Sequence, residues 1–234
     1  MPGPVALVGS AEYLPVMADV EAALLEGRPP RYVQLPTAAG QEGPDSVGRW
    51  VRLGAEQADR LGVDAVPVLA LDRTTADDPA LAAPIEGAGL VYLSGGSPAY
   101  LAETLRGTRV WAAILSAWRA GAALAGCSAG AMALAAWIAN VRAPDSEPGP
   151  GLGVVPGVLV VPHFDRFRRW MRFSPEAAAA RLPDGVVLIG IDEETALVGD
   201  GENLGRWVVH GRQAAWVFGP DGGTAYRRGE EIVL

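Results

Sequence analysis

The sequence predicts an α/β fold with a mostly parallel sheet, helices on both faces, and antiparallel strands added near the C-terminus. Short apolar runs alternate with helical segments through the N-terminal half, which is typical of parallel strands joined by helices. After Val186, short apolar strands follow one another with turn residues between them and no helix. The chain has 234 residues, 50% of them hydrophobic, which favours a single α/β domain over residues 1–234.

The N-terminal half predicts five strands and four helices before a glycine-rich turn. The predicted strands are Val5–Val8, Tyr32–Leu35, Ala65–Leu71, Leu90–Ser94 and Ala122–Ala125. The predicted helices are Ala18–Leu25, Val47–Leu61, Ala99–Leu105 and Val110–Arg119. Asp45 or Ser46 is expected to cap the second helix, because short polar side chains accept the unpaired N–H groups of a first turn.

The C-terminal half predicts fewer helices and more turns. A Pro/Gly/Asp-rich loop, Asn140–Gly153, precedes a strand at Gly157–Val161 and a helical stretch, Phe164–Leu182, that Ser174-Pro175 breaks. The four strands predicted next are Val186–Ile191, Ala196–Val198, Trp207–Val209 and Ala214–Phe218. A turn at residues 220–223 is expected to precede a final strand pair.

The segment Gly126-Cys127-Ser128-Ala129-Gly130 is the strongest functional signal. It is a G-x-S-x-G motif between an apolar strand and a helix-forming run, which is typical of a nucleophile elbow. Ser128 is therefore the candidate nucleophile, and the Ala129 N–H is the expected first donor to an oxyanion. A second donor is expected from the glycine loop Leu93–Ser97, where the backbone can approach a substrate closely. Cys127 precedes the apex and is interpreted as a small buried hydrophobic residue.

A serine nucleophile needs a base, and the chain has only two histidines. His163 follows a buried strand, where sites in open α/β sheets assemble, whereas His210 is interpreted as a turn residue. The acid that orients the base could come from Asp192, Glu193 or Glu194, at the end of another apolar strand, or from Asp145. Glu193 is favoured.

Composition excludes several other functions. The net charge is −8 and no basic tract is present, which argues against nucleic-acid binding. Because the chain contains no Lys, a Ser–Lys dyad, a Schiff-base lysine and a P-loop lysine are excluded. A single Cys allows no intramolecular disulfide and no cysteine zinc cluster. No signal peptide or membrane span is predicted, so a cytoplasmic location is expected. No metal or organic cofactor is implied.

Four blocks occur in an order typical of one family: Leu-Ser-Gly-Gly-Ser-Pro, Gly-Cys-Ser-Ala-Gly-Ala-Met, Pro-His-Phe and Gly-Ile-Asp-Glu-Glu-Thr-Ala-Leu. The chain resembles the serine peptidases of the dipeptidase E and cyanophycinase family, which have the class I glutamine-amidotransferase-like fold. The resemblance implies that Ser128 is the nucleophile, His163 the base and Gly96 an oxyanion donor. The cyanophycinase-like pattern places the acid at Glu193, and the dipeptidase-E-like pattern places it at Asp145.

The resemblance also bears on substrate and partners. It implies hydrolysis of a peptide or amide bond in a small peptide, with an Asp-containing peptide as one candidate. Four arginines follow the proposed base, and Arg166 and Arg169 are the candidates for holding a substrate carboxylate. Alternatives are a non-catalytic binding module on the same fold and an esterase of small acyl groups. No nucleic-acid or membrane partner is expected. The oligomeric state is left open, with a homodimer among the alternatives.

Overall fold

The protein is built around two β-sheets. The computed structural model describes residues 1–139, 146–170, 174–219 and 222–234. The strands are β1 Val5–Val8, β2 Arg31–Leu35, β3 Asp64–Pro67, β4 Leu90–Leu93, β5 Ala123–Cys127, β6 Ala135–Ile138, β7 Gly149–Pro150, β8 Val155–Pro162, β9 Val187–Ile191, β10 Thr195–Asp200, β11 Asn203–Gly211, β12 Ala214–Gly219, β13 Gly222–Arg227 and β14 Glu231–Val233.

The larger sheet has eight strands in the order β14-β11-β10-β1-β5-β4-β2-β3. From β3 to β1 the neighbouring strands are parallel. Strands β10, β11 and β14 then extend the β1 side in antiparallel pairs. The predicted parallel sheet with antiparallel C-terminal strands is confirmed in this sheet. The end of β5, which carries the serine motif, therefore lies in the middle of this sheet, between β1 and β4.

The remaining strands form a second, six-stranded sheet in the order β13-β12-β9-β8-β6-β7. Strands β6, β8 and β9 are parallel, and β12 and β13 pair antiparallel on the β9 side. The predicted C-terminal strands are therefore divided between the sheets: β10 and β11 lie in the larger one, and β9, β12 and β13 in the smaller one. The predicted final strand pair is wrong, because β13 pairs with β12 and β14 pairs with β11 in the other sheet. Strand β14 follows β13 closely in sequence but pairs with the more distant β11, and such a pairing leaves no local signal.

Helices cover both faces of the larger sheet. They are α1 Ala18–Leu25, α2 Pro44–Leu61, α3 Arg73–Ala76, α4 Pro79–Ala82, α5 Pro98–Leu105, α6 Arg109–Arg119, α7 Ala129–Leu134, α8 Phe164–Trp170 and α9 Pro175–Ala179, with 3-10 turns at Pro15–Met17, Thr37–Ala39 and Ala83–Ile85. Successive β1 side chains enter different cores, since Val5 and Leu7 lie in one apolar cluster and Ala6 and Val8 in another. Both faces are thus buried, as parallel sheets require.

Several predicted boundaries differ from the structure. Helix α2 begins at Pro44 after Gly43, so neither Asp45 nor Ser46 is its N-cap. Proline is tolerated in a first helical turn, because its missing N–H would be unpaired there anyway. Strand β3 ends at Pro67 rather than Leu71.

The predicted helical stretch after His163 forms two short helices, α8 and α9. Residues 140–145 of the predicted loop and 220–221 of the predicted turn lie outside the described residues. Sequence reasoning missed β6, which follows directly on the short helix α7. In the part of the chain that the structure describes, no helix is long and apolar enough to cross a membrane.

Candidate active site

Ser128 lies on a sharp turn between β5 and α7. Its backbone has φ 51° and ψ −110°, a conformation that side-chain-bearing residues rarely adopt and that costs free energy. The two motif glycines make this turn feasible. A Cβ on Gly126 would lie 2.5 Å from the backbone of Gly130, and a Cβ on Gly130 would lie 2.2 Å from the Leu93 carbonyl oxygen. Strand, turn and helix therefore pack too closely for any larger residue, as the motif predicts.

His163 lies directly after β8, and its ring faces Ser128. The Ser128 Oγ and the His163 Nε2 are 2.7 Å apart, which is hydrogen-bonding distance for a hydroxyl and an imidazole. Its backbone φ is 133°, in the positive range. The next residue, Phe164, is fully buried, and its ring occupies the space above Gly190, where a Cβ would lie 2.4 Å from the Phe164 Cγ. This packing fixes where the chain leaves β8 and thus where the imidazole lies.

Glu193 lies behind the imidazole. Its Oε1 is 3.3 Å from the His163 Nδ1, and the Arg166 Nε donates to its Oε2 at 2.9 Å. The Glu193 backbone is also held, because its N–H donates to the Asp165 Oδ1 at 3.0 Å and its carbonyl oxygen accepts from the Gln213 side chain at 3.0 Å. Helix α8 therefore supplies both Asp165 and Arg166 to fix the residue that faces His163.

The neighbouring acids have other contacts. Asp192 is buried and accepts from the Trp216 Nε1 and the Ala214 N–H, and desolvation by burial raises the pKa of its carboxyl. Glu194 forms an ion pair with Arg212, 3.1 Å apart, at the surface. Of the three acids at the end of β9, only Glu193 contacts His163 among the described residues.

The other candidates from the sequence are placed differently. His210 lies inside β11, opposite Ala196, and desolvation by burial lowers the pKa of its imidazole. It is therefore a strand residue, next to the last residue of β11, rather than a turn residue. Asp145, the alternative acid, lies outside the described residues.

The two expected oxyanion donors, the N–H groups of Gly96 and Ala129, belong to the loop after β4 and to the first residue of α7. Gly96 has φ 138°, and a Cβ there would lie 2.4 Å from the Ala38 carbonyl oxygen, so only glycine fits. Its neighbour Gly95 adjoins the serine, since a Cβ on Gly95 would lie 3.7 Å from the Ser128 Cβ. No hydrogen bond among residues 1–139, 146–170, 174–219 and 222–234 uses the N–H of Gly96 or of Ala129. Neither N–H is therefore committed to a protein acceptor in that part of the chain.

The four arginines after His163 have separate environments. Arg166 is paired with Glu193 although 68% of its side chain is exposed. The Arg168 guanidinium lies over the Trp216 ring, 4.3 Å from its centroid, which is a cation–π contact. Arg169 is exposed, and Arg172 lies outside the described residues. The Asp165 carboxylate, on the same helix, accepts the Glu193 N–H.

Sequence reasoning missed two side chains at this site. Asp165 supports Glu193, and Glu12 accepts hydrogen bonds from the Gly95 N–H and the Cys127 thiol. Cys127 is buried as expected, but it is also a donor and not only an apolar filler. No sequence motif marks Glu12, which lies between β1 and α1. Only the tertiary contact between the β1 end and the loop after β4 shows its place.

A serine on a strained elbow, hydrogen-bonded to a histidine on an α/β fold, is the arrangement of serine hydrolases. The chain belongs to peptidase family S51, whose family model matches residues 5–206. It is therefore a serine peptidase, and the family resemblance seen in the sequence is confirmed.

Two solved structures are similar to the chain. A peptidase from an acI-B1 Actinobacterium is 39% identical with a TM-score of 0.90, and the match covers 100% of this chain and 98% of that one. A protein assigned as a peptidase E from Listeria monocytogenes EGD-e is 17% identical with a TM-score of 0.64, covering 91% of this chain and 100% of that one. The second likeness shows the fold alone. No curated protein matches the chain.

Proposed function

We propose that the chain cleaves a peptide or amide bond of a small peptide through a Ser128–His163–Glu193 triad. The Ser128 Oγ attacks the scissile carbonyl carbon while His163 Nε2 takes its proton. The Gly96 and Ala129 N–H groups stabilise the oxyanion of the tetrahedral intermediate. His163 then protonates the leaving amine, and an acyl-enzyme remains. Water, deprotonated by His163, releases the acid and regenerates Ser128.

The observation that carries the proposal is the contact of 2.7 Å between Ser128 Oγ and His163 Nε2. A base must lie within hydrogen-bond reach of the proton it removes, and this pair meets that condition without rearrangement. The contact of 3.3 Å between His163 Nδ1 and Glu193 Oε1 supports the assignment of the acid. A carboxylate there favours the tautomer that leaves Nε2 free to accept a proton.

For the substrate, we propose a short peptide that contains an acidic residue. The chain is acidic overall, yet four of its arginines lie within ten residues of His163. A guanidinium binds a carboxylate by two parallel hydrogen bonds, which suits an aspartyl side chain or a terminal carboxylate. Since Arg166 and Arg168 have partners within the protein, Arg169 is the described arginine that we assign to the substrate.

Labelling with a fluorophosphonate probe tests the nucleophile. We expect the parent protein to be labelled once, at Ser128, and Ser128→Ala to lose both labelling and hydrolysis while remaining folded. Cys127→Ala removes the only thiol of the chain and should retain labelling, since that thiol points to Glu12 and not to His163. Labelling of the Ser128→Ala protein at the parent rate would show that the assignment is wrong.

A substrate panel tests the bond that is cleaved. Dipeptides with and without Asp should be compared with short p-nitrophenyl esters. We expect a higher kcat/KM for an Asp-containing dipeptide than for its neutral analogue. Turnover of esters alone would support the esterase alternative instead.

A further inference from the structure

Glu12 is a buried carboxylate beside the site that the triad does not use. It lies between β1 and α1 and is only 6% exposed. Its Oε1 accepts the Gly95 N–H at 2.9 Å, and its Oε2 accepts the Cys127 thiol at 2.9 Å. No ion pair between described residues includes it. Burying a carboxylate without a cation is costly, so a chain that does so gains something specific from the two hydrogen bonds.

The two donors are sequence neighbours of two residues of the proposed site. Gly95 immediately precedes Gly96, the expected oxyanion donor, and Cys127 immediately precedes Ser128. Gly95 is itself close to the serine, since a Cβ there would lie 3.0 Å from the Glu12 Oε1 and 3.7 Å from the Ser128 Cβ. One carboxylate therefore joins the loop after β4, which carries Gly96, to the end of β5, which Ser128 follows.

The turn that carries Glu12 is unusually constrained. The residues on both sides, Ala11 and Tyr13, have φ values of 67° and 65°, which residues with side chains rarely adopt. The Tyr13 N–H donates to a second buried carboxylate, Glu21, at 3.3 Å, and Glu21 also accepts the Tyr32 hydroxyl at 2.7 Å. Backbone strain of this kind persists only where surrounding contacts enforce it. The backbone that carries Glu12 is therefore fixed, so Glu12 cannot move together with the loop after β4 that contains Gly95.

We propose that Glu12 is a positioning residue that fixes the Gly95–Gly96 turn so that the Gly96 N–H points to the oxyanion beside Ser128. The proposal rests on the proposed peptidase mechanism. Glu12 does not contact the substrate, because both of its oxygens already accept hydrogen bonds and its side chain is buried. It acts through the backbone of Gly95, which has no side chain of its own to hold the turn.

The thiol contact agrees with this role. Burial, and next the charge of Glu12, raise the pKa of the Cys127 thiol, so it stays protonated and donates to the carboxylate. The thiol thus fixes Oε2 while Oε1 accepts the Gly95 N–H.

Two conservative variants separate reach from charge. Glu12→Gln keeps an oxygen at the position of Oε1 and loses the charge. Glu12→Asp keeps the charge but draws the carboxylate back by about 1.5 Å, one carbon–carbon bond, so the Gly95 contact is lost. We expect Glu12→Asp to lower kcat by about 10- to 100-fold with KM nearly unchanged, since losing one oxyanion donor outright costs about 100- to 1,000-fold. Glu12→Gln should retain kcat to within about fivefold, because the contact that positions the turn survives.

An inhibitor and a matched control complete the test. A peptide boronic acid places an oxygen of its tetrahedral adduct in the oxyanion position. In Glu12→Asp, the affinity for this inhibitor should therefore fall as kcat falls, whereas KM should stay nearly unchanged. Ile232→Ala removes buried apolar volume from the edge strand β14, which β11 and β10 separate from β1. It should lower the melting temperature but leave kcat and boronate affinity unchanged, which separates general destabilisation from positioning.

Hydrogen exchange at the Gly95 amide reports on the turn without requiring catalysis. Exchange should be slow in the parent and in Glu12→Gln, and faster in Glu12→Asp. Unchanged Gly95 exchange in Glu12→Asp, or a larger loss of kcat in Glu12→Gln than in Glu12→Asp, would overturn the proposal. A parent protein that fluorophosphonate does not label would refute the peptidase mechanism, whereas the exchange result would still decide whether Glu12 holds the turn.

Discussion

Replacement of Glu193 by Gln tests the acid of the triad most directly. The variant keeps the shape of the side chain and removes its charge. In the parent, the Glu193 Oε1 is 3.3 Å from the His163 Nδ1, and Arg166 holds the other oxygen. The variant amide can present either its oxygen or its NH₂ group to the imidazole. Presentation of the NH₂ group would favour the tautomer with the proton on Nε2, which cannot accept a proton from Ser128.

The size of the effect follows from that distance. A carboxylate and an imidazolium 3.3 Å apart attract each other by about 5 kcal/mol at an effective dielectric constant of about 20. Solvent screens this attraction, because the His163 and Glu193 side chains are 34% and 21% exposed, and the Arg166 charge opposes it. We take about half, roughly 2.5 to 3 kcal/mol, as lost from the transition state, which lowers kcat about 100-fold.

The assay is kcat for the best dipeptide substrate, with two comparison variants. Glu194→Gln changes the next residue, whose ion pair with Arg212 is at the surface, and should leave kcat unchanged. Asp145→Asn should cost much less than Glu193→Gln. If Asp145→Asn lost more activity than Glu193→Gln, the acid would be Asp145, in the dipeptidase-E-like arrangement, and the reasoning from the His163 contact would be refuted.

Three further predictions follow from contacts of the described residues. Gly190→Ala should lower kcat by about tenfold or more, because a Cβ there would lie 2.4 Å from the Phe164 Cγ and displace the residue next to the base; unchanged kinetics would show that Phe164 does not position it. Burial raises the pKa of Glu21 to about 7. The folded state then binds more protons than the unfolded state between about pH 4.5 and 7, so stability should fall across that window by roughly 3 kcal/mol and level off above it. Urea unfolding at several pH values should show this slope in the parent and a flatter one in Glu21→Gln. Arg169→Ala should raise KM for an Asp-containing dipeptide and not for its neutral analogue, and equal changes for both would make Arg169 a surface residue.

Much of the fold could be predicted from local pattern. Strand β1 and helix α1 have the predicted bounds, Val5–Val8 and Ala18–Leu25. The strand is a short apolar run, and the helix is a run of helix-forming residues that ends shortly before Gly27, so both signals are local. The division into two sheets could not be predicted. Strand β12 pairs with β9 and β14 with β11, and these choices depend on packing between segments far apart in the chain. Likewise, β6 follows a helix of only six residues, too short for a sequence period to reveal its end.

The candidate site divides in the same way. Ser128 and its glycines are one contiguous motif, so the elbow could be predicted from residues that must be small for strand and helix to meet. His163 and Glu193 could be proposed because each follows an apolar strand, and the ends of parallel strands gather at one edge. Glu12 and Asp165 could not be found in this way. Their roles arise from hydrogen bonds to backbone N–H groups of distant segments, and any acidic residue on a loop would look the same in sequence.

The position of Arg166 limits how an acidic substrate can bind. It is the arginine nearest to the base in sequence, and its side chain is 68% exposed, which suits a substrate contact. Its Nε, however, donates to the Glu193 Oε2 at 2.9 Å, so a substrate carboxylate that took this guanidinium would compete with Glu193 for it. Such competition would loosen Glu193 at the moment when His163 needs it to stabilise the imidazolium. An Asp-containing substrate is therefore better held by another cation, and Arg166→Ala should lower kcat for acidic and neutral substrates alike, unlike Arg169→Ala.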